Sequence, residues 1–166
     1  MDVRKSLLGL ALLLLLGNGA ASATDFDKGL KAFKSHDYKT ALVVFTPLAE
    51  QGDALAQNFM GMIYEFGKGD DTAAAKWYKL GAEQGLAEAQ SNLGIMYYSN
   101  VWSRRDSVSS DPANYKLALK WFTLAAEQGY YEAQFYLGEM YDYGYGVLVD
   151  DEIAIKWYTK SAEQGG

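Results

Sequence analysis

The chain contains few residues that could carry out catalysis. Its one histidine is His36, and it has no cysteine. A histidine-based triad, a thiol nucleophile or a metal site with several histidines therefore cannot be assembled. Two pairs of adjacent carboxylates, Asp70-Asp71 and Asp150-Asp151, have the chemistry of an acid and a base. Both pairs stand at predicted helix starts, where the helix dipole stabilises negative charge, so we predict no catalytic residue and no metal ligand.

The glycine-rich loops could be mistaken for phosphate-binding loops. They read Gly67-Lys68-Gly69 and Gly144-Tyr145-Gly146. Neither is followed by the lysine and hydroxyl residue that a phosphate-binding loop needs to hold its nucleotide. We interpret them as turns and predict no cofactor.

The first residues have the pattern of an export signal. Arg4 and Lys5 precede an apolar run from Leu7 to Leu16, and Ala21-Ser22-Ala23 has the small residues that signal peptidase accepts. The apolar run is too short for the roughly 20 residues that cross a bilayer. We therefore predict a signal peptide over residues 1–23, cleavage near Ala23, and a periplasmic or secreted protein without stable membrane insertion.

The amino-acid composition is typical of one soluble globular domain. Of the 166 residues, 49% are hydrophobic and 22% are charged, and the formal net charge is −6. An acidic surface repels nucleic acid and anionic lipid, and it favours a basic partner, although ordinary solubility explains the charge equally well. Without cysteine, stability must come from packing alone.

An internal repeat organises the chain. The tetrapeptide Ala-Glu-Gln-Gly occurs at 49–52, 82–85, 126–129 and 162–165. Each copy ends a segment with apolar residues at helical spacing, in which an aromatic residue follows Val44, Trp77, Trp121 or Trp157. Short polar residues in equivalent positions predict the helix N-caps, namely Asp37, Asp70, Asn114 and Asp150. The glycines predict the helix ends.

A second helix follows each of the first three copies. Its shared positions are an Ala-Gln pair, then a glycine, then a tyrosine: Ala56-Gln57, Gly61 and Tyr64; Ala89-Gln90, Gly94 and Tyr97; Ala133-Gln134, Gly138 and Tyr141. Alanine and glycine leave a shallow strip on a helix, so we interpret these residues as helix-packing positions.

Residues 53–165 resemble the Sel1-like repeat, a relative of the tetratricopeptide repeat, throughout their length. Residues 24–52 look like a degenerate first helical pair, with Val44 in place of tryptophan. The resemblance implies an all-α fold, an α-solenoid of about four antiparallel helix pairs forming one continuous right-handed superhelix. The predicted helices are 25–35, 37–50, 53–66, 71–83, 86–98, 112–127, 130–142 and 151–163.

The third repeat departs from the pattern by an insertion of eight residues. We predict a loop from Ser99 to Asp111 that contains Trp102, Arg104 and Arg105. Tryptophan beside arginine is a common composition of binding hot spots. The alternative is a solvated loop whose arginines pair with nearby acids.

Tyrosine is the second departure, because several of the 13 tyrosines lie outside repeat positions. They are Tyr98, Tyr130, Tyr131, Tyr136, Tyr143 and Tyr145. Tyrosine is enriched at protein interfaces, so we predict a partner-binding surface in the C-terminal half. The alternative is that these rings fill a small solenoid's exposed core. The last helix pair has no evident capping helix, so a homo-oligomer could form through that end.

The resemblance implies a non-catalytic, protein-binding scaffold or adaptor. Some members of the family are immunity proteins that neutralise a toxic effector, and a small, exported, acidic protein suits that role as an alternative. Relatives with disulfide-linked repeats are associated with cell-wall ligands, which suggests a cell-wall hydrolase as a further alternative. This chain lacks the cysteines and a plausible nucleophile for such an enzyme.

Overall fold

The computed structural model describes residues 23–103 and 112–164, and within these ranges the chain is entirely helical. The α-helices are α1 Ala23–Lys34, α2 Tyr38–Glu50, α3 Ala54–Met62, α4 Asp71–Glu83, α5 Ala87–Ser103, α6 Pro112–Glu127, α7 Tyr131–Tyr143 and α8 Asp151–Ala162. Each helix packs against the next along the chain, and α5 also touches α3 and α7. The predicted solenoid of helix pairs is confirmed. The predicted signal peptide lies outside the described residues, except for Ala23.

Aspartates begin four of these helices. The carboxylates of Asp37, Asp53, Asp70 and Asp150 each accept a hydrogen bond from the backbone N–H three residues later, at 2.8–3.1 Å. The Asp70-Asp71 and Asp150-Asp151 pairs are thus parts of helix starts. Asn114 is not an N-cap, because α6 begins two residues earlier at Pro112, whose fixed φ suits the first helical position.

His36 occupies a backbone conformation that favours glycine. It follows α1 with a φ of 59°, whereas Gly69 and Gly144 end the corresponding first helices of later pairs with φ of 66° and 74°. The ring Nδ1 of His36 lies 3.0 Å from the hydroxyl of Tyr38, which holds the side chain in place.

We expect His36→Gly to raise the free energy of unfolding by about 1 kcal/mol, because the left-handed conformation costs a side chain about that much. Urea denaturation of the variant beside His36→Ala measures this. Alanine has the same strain as histidine without the contact to Tyr38, so it should be less stable than both. Equal stability of the glycine and alanine variants would contradict the assignment of strain.

A glycine in the first helix of each pair receives an aromatic ring from the second. A Cβ built on Gly61 would lie 2.5 Å from the ring of Tyr78, and a Cβ on Gly94 would lie 2.7 Å from Phe122. Gly29 meets Phe45 and Gly138 meets Tyr158 in the same way. We call this contact the glycine–aromatic lock. It shows why the repeat has glycine here, since any larger residue would displace the ring.

Whether the locking ring is tyrosine or phenylalanine corresponds to the type of residue four positions after the glycine. Where the ring is tyrosine, that residue is an acid: the hydroxyl of Tyr78 donates to Glu65 at 2.7 Å, and that of Tyr158 donates to Asp142 at 3.3 Å. Where the ring is Phe122, that residue is Tyr98, whose ring lies edge-on at 6.2 Å. Polar and apolar locks therefore each have a matching neighbour.

Buried glutamines connect successive helices. Gln57, Gln90 and Gln134 are at most 4% exposed. Their Nε2 atoms donate to the carbonyls of Ala49, Ala82 and Ala126 at 3.0–3.1 Å, and their Oε1 atoms accept from Gln84, Gln128 and Gln164 at 2.7–2.9 Å. This glutamine ladder gives a second hydrogen bond to carbonyls at the ends of α2, α4 and α6, which already accept the backbone N–H groups of Gly52, Gly85 and Gly129 at 3.0–3.1 Å. It accounts for both glutamines of the repeat as structural residues.

Two helix ends differ from the predicted bounds. The third helix was expected to be regular to residue 66, but α3 ends at Met62 and a π-helical segment, Ile63–Lys68, follows it. The π-helical turns hold more residues than α-helical turns and end at Gly69, which has a left-handed conformation. Helix α5 runs to Ser103, so the first residues of the predicted 99–111 loop are helical.

Candidate interaction surface

Tyrosine side chains from three elements meet in the C-terminal half. Tyr98 on α5 lies 5.6 Å from Tyr136 on α7 and 5.9 Å from Tyr145 in the loop after α7, measured between ring centroids. Tyr145 stacks on Tyr115 of α6 at 4.9 Å. These four residues, which we call the tyrosine cluster, are all half-buried. Their rings satisfy one another's apolar faces while part of each remains in solvent.

The loop after α7 reaches the cluster because of its glycines. Gly146 has a φ of 74°, and a Cβ there would lie 3.0 Å from the backbone of Tyr115. The close approach of the loop to α6 brings Tyr145 over the ring of Tyr115. The Gly144-Tyr145-Gly146 turn thus positions Tyr145 in the tyrosine cluster.

Acidic side chains adjoin the tyrosine cluster. Burial and the like charge of Asp142 raise the pKa of Glu139 on α7. Burial, followed by the charge of Glu139, raises the pKa of Tyr98 above its usual value of 10.0. Burial and the charges of Asp142 and Glu139 likewise raise the pKa of Tyr158 to about 12. Burial and these acidic side chains therefore raise the pKa of Tyr98 and Tyr136 in the cluster and of Tyr158 beside it, which favours their neutral forms.

We expect Glu139→Gln to stabilise the protein at neutral pH. A raised carboxyl pKa means that the folded state disfavours the ionised form, so the stability linked to Glu139 is full below about pH 4 and is lost as the pH rises through the raised value. The variant should have a higher Tm at about pH 7 and little gain at about pH 4. The exposed Glu50→Gln serves as the control, and an equal gain there would point to net charge instead.

A groove opens beside the cluster along α7. It has a volume of about 240 Å³ and is lined by Ile95, Tyr131, Glu132, Phe135, Tyr136 and Ser161. The hydroxyls of Tyr130 and Tyr131 reach Glu132 at 3.3 and 3.4 Å. Phe135 is 46% exposed, although Ser91, its equivalent one repeat earlier, is buried. The groove is open because no later helix covers it within the described residues.

The predicted site residues fall into three groups. Tyr98, Tyr136 and Tyr145 join the cluster, and Tyr143 extends it, with its ring 5.6 Å from Tyr145 and 61% of its surface exposed. Tyr130 and Tyr131 lie together at the start of α7, and Tyr131 lines the groove. Trp102 lies in the last turn of α5, while Arg104 and Arg105 lie outside the described residues.

Sequence reasoning missed Tyr115, Glu139 and Asp142. Tyr115 lies in the first turn of α6 and is also outside the repeat positions, but it was not among the tyrosines predicted to bind. The acids had a readable signal, because Glu132, Tyr136, Glu139 and Tyr143 recur at spacings of three and four residues on α7. That spacing places them on one face of a helix.

The described residues contain no group of three or more histidine, cysteine, aspartate or glutamate side chains that could hold a metal ion. None of their helices is both long enough and apolar enough to cross a membrane.

Comparison with known proteins identifies the repeat. The family model described as Sel1 repeat matches residues 54–86, 87–100, 109–130 and 132–166, more than half of the chain. A putative Sel1-like repeat-containing protein of Acanthamoeba polyphaga mimivirus is 46% identical over 54 residues, which are 31% of this chain and 10% of that protein. The chain thus spans about a tenth of that relative.

Two crystal structures share the fold. One, a protective antigen present in uropathogenic Escherichia coli strains and displaying an SLR fold, is 37% identical with a TM-score of 0.73; the match covers 86% of this chain and 30% of that one. A Sel1 repeat protein from Oxalobacter formigenes is 35% identical with a TM-score of 0.61, covering 76% of this chain and 91% of that one. Sel1 repeats generally act as protein-interaction scaffolds. The chain belongs to the Sel1 repeat family.

Proposed function

We propose that this protein is an exported, non-catalytic scaffold that binds another protein in the periplasm through its C-terminal half. The observation that carries the proposal is the half-buried tyrosine cluster beside an open groove on α7. Tyrosine gives large contact area at low entropic cost, and a binding partner would bury the exposed part of each ring. The leader over residues 1–23 supports export.

The repeat residues themselves support a scaffold role. The locks and the glutamine ladder use the glycines, glutamines and aromatic residues of the repeat for packing. Residues outside these positions, such as Tyr136 and Tyr143, are the ones free to determine what binds. A rigid stack with a variable surface is the arrangement by which helical repeats present an extended binding face.

Site-specific photo-crosslinking tests the binding proposal. A photoreactive phenylalanine at Tyr143 should form a discrete crosslinked species in the cells that make the protein, whereas the same group at exposed Lys39 on α2 should not. Crosslinking from both positions alike would refute a C-terminal binding face. Fractionation with and without residues 1–23 tests export separately, since only the full chain should reach the periplasm.

Self-association is a second candidate, and the last helix pair favours it. Ile155 on α8 is 64% exposed, although Leu42 and Leu119, in equivalent positions, are partly buried in the cores of their pairs. A second copy could cover this end as a further repeat would. Sedimentation across micromolar concentrations decides, because a monomer throughout removes this candidate.

A further inference from the structure

Charge is segregated between the helices of the C-terminal half. The first helices of the two pairs, α5 and α7, contain Glu88, Glu132, Glu139 and Asp142 and no lysine or arginine. The second helices, α6 and α8, contain all four lysines of these pairs, Lys116, Lys120, Lys156 and Lys160. A ligand on the α5–α7 face therefore meets negative charge without the neutralising lysines.

The acids of this face lack cationic partners among the described residues. The one ion pair found among the described residues joins Lys79 and Glu83 on α4, with 3.7 Å between the charged groups. Glu132 receives only long hydrogen bonds from Tyr130 and Tyr131, and Glu139 is acted on by the like charge of Asp142. Holding such charges in partly desolvated positions costs stability, and a cation bound beside them would recover it.

The surrounding rings suit a cation as well. Lysine ammonium groups of this chain already lie over aromatic rings on other helices, Lys120 over Trp121 at 4.6 Å and Lys160 over Trp157 at 4.4 Å. The planar guanidinium of arginine stacks on such rings and forms two parallel hydrogen bonds to a carboxylate. Tyr136 lies between Glu132 and Glu139 along α7, so a guanidinium paired with either carboxylate would lie near its ring, one face of which is stacked on Phe122 at 5.0 Å.

We propose that the α5–α7 face binds an arginine-bearing basic segment of the partner protein, with guanidinium groups seated at Glu132 and Glu139 and the chain lying along the groove beside Tyr136. The inference rests on the proposed scaffold function and adds the chemistry of the partner. The two glutamates are seven residues apart on α7, a rise of about 10 Å. An extended segment covers that length with three residues, so arginines three apart fit.

Isothermal titration calorimetry with a capped peptide of four Arg-Gly-Gly repeats tests this on the full mature chain. The wild type should bind it at low ionic strength, and replacing arginine by neutral citrulline should weaken binding at least about tenfold. Glu132→Gln and Glu139→Gln should each weaken it about fivefold, while Glu50→Gln on α2 should change it less than about twofold. Circular dichroism confirms that each variant is folded.

Three results would overturn the inference: no binding by the wild type, equal binding of the citrulline peptide, or an equal loss in Glu50→Gln. Failure of this inference can be distinguished from failure of the scaffold proposal. If Tyr143 crosslinks its partner equally in wild type and Glu139→Gln, the scaffold stands and the basic segment is wrong.

Discussion

Gly61→Ala should destabilise the protein by about 2–3 kcal/mol, although the same change in an open helix stabilises by up to about 1 kcal/mol. The added Cβ would lie 2.5 Å from the ring of Tyr78, which is fully buried and held by its hydrogen bond to Glu65. The ring cannot turn aside without losing that bond, so α3 and α4 must separate. Urea denaturation measures the change in the free energy of unfolding.

A double-mutant cycle at the last repeat identifies the cause. Gly138→Ala brings a Cβ to 2.7 Å from the ring of Tyr158, which is only half-buried and tolerates replacement better than Tyr78. If the lock is responsible, Gly138→Ala should cost much less in a Tyr158→Leu background. An unchanged cost would mean that the backbone of α7, and not the ring, rejects the side chain.

The repeat residues made the fold predictable. Apolar spacing, glycine stops and aspartate caps are local signals, and the seven predicted helices other than the third have close counterparts. The π-helical end of the third helix could not be foreseen, because Gly61 and Tyr64 have the same repeat pattern as in the regular first helices. The extension of α5 to Ser103 was not predicted, because the eight-residue insertion was interpreted as a loop from Ser99 onward.

The interaction surface was predictable only as a region. Counting tyrosines outside repeat positions found Tyr98, Tyr136 and Tyr145, which the fold brings together from α5, α7 and a loop. It could not separate them from Tyr130 and Tyr131, which lie at the start of α7. Such a distinction needs the distances between helices that are remote in sequence.

The two kinds of residue have different consequences for evolution of binding. Substitution at a lock or a ladder position disturbs the stack, whereas Tyr143 is 61% exposed and Glu139 is only half-buried. Under the proposed function, a change of partner would therefore proceed by substitution on the α5–α7 face and not at the lock or ladder positions. The stability lost by half-burying the Glu139 carboxylate then belongs to this face and not to the packing of the repeat.

Gln90→Glu should make stability depend on pH. Gln90 is 4% exposed; its Nε2 donates to the carbonyl of Ala82 at 3.1 Å, and its Oε1 accepts from Gln128 at 2.8 Å. A protonated glutamic acid reproduces both bonds, because its hydroxyl donates and its carbonyl accepts. The ionised form sets a carboxylate oxygen against the Ala82 carbonyl in a buried site and loses the donor.

Burial therefore raises the pKa of the introduced carboxyl in the folded state, and its stability is full below the unfolded pKa of about 4.3 and lost as the pH rises. The variant should be within about 1 kcal/mol of wild type near pH 4 and about 3 kcal/mol less stable at pH 7. Gln51→Glu, at an exposed position, should show no such trend. A loss at Gln90→Glu that is the same at both pH values would mean that the shape of the side chain, and not the hydrogen bond that it donates to Ala82, holds successive pairs together.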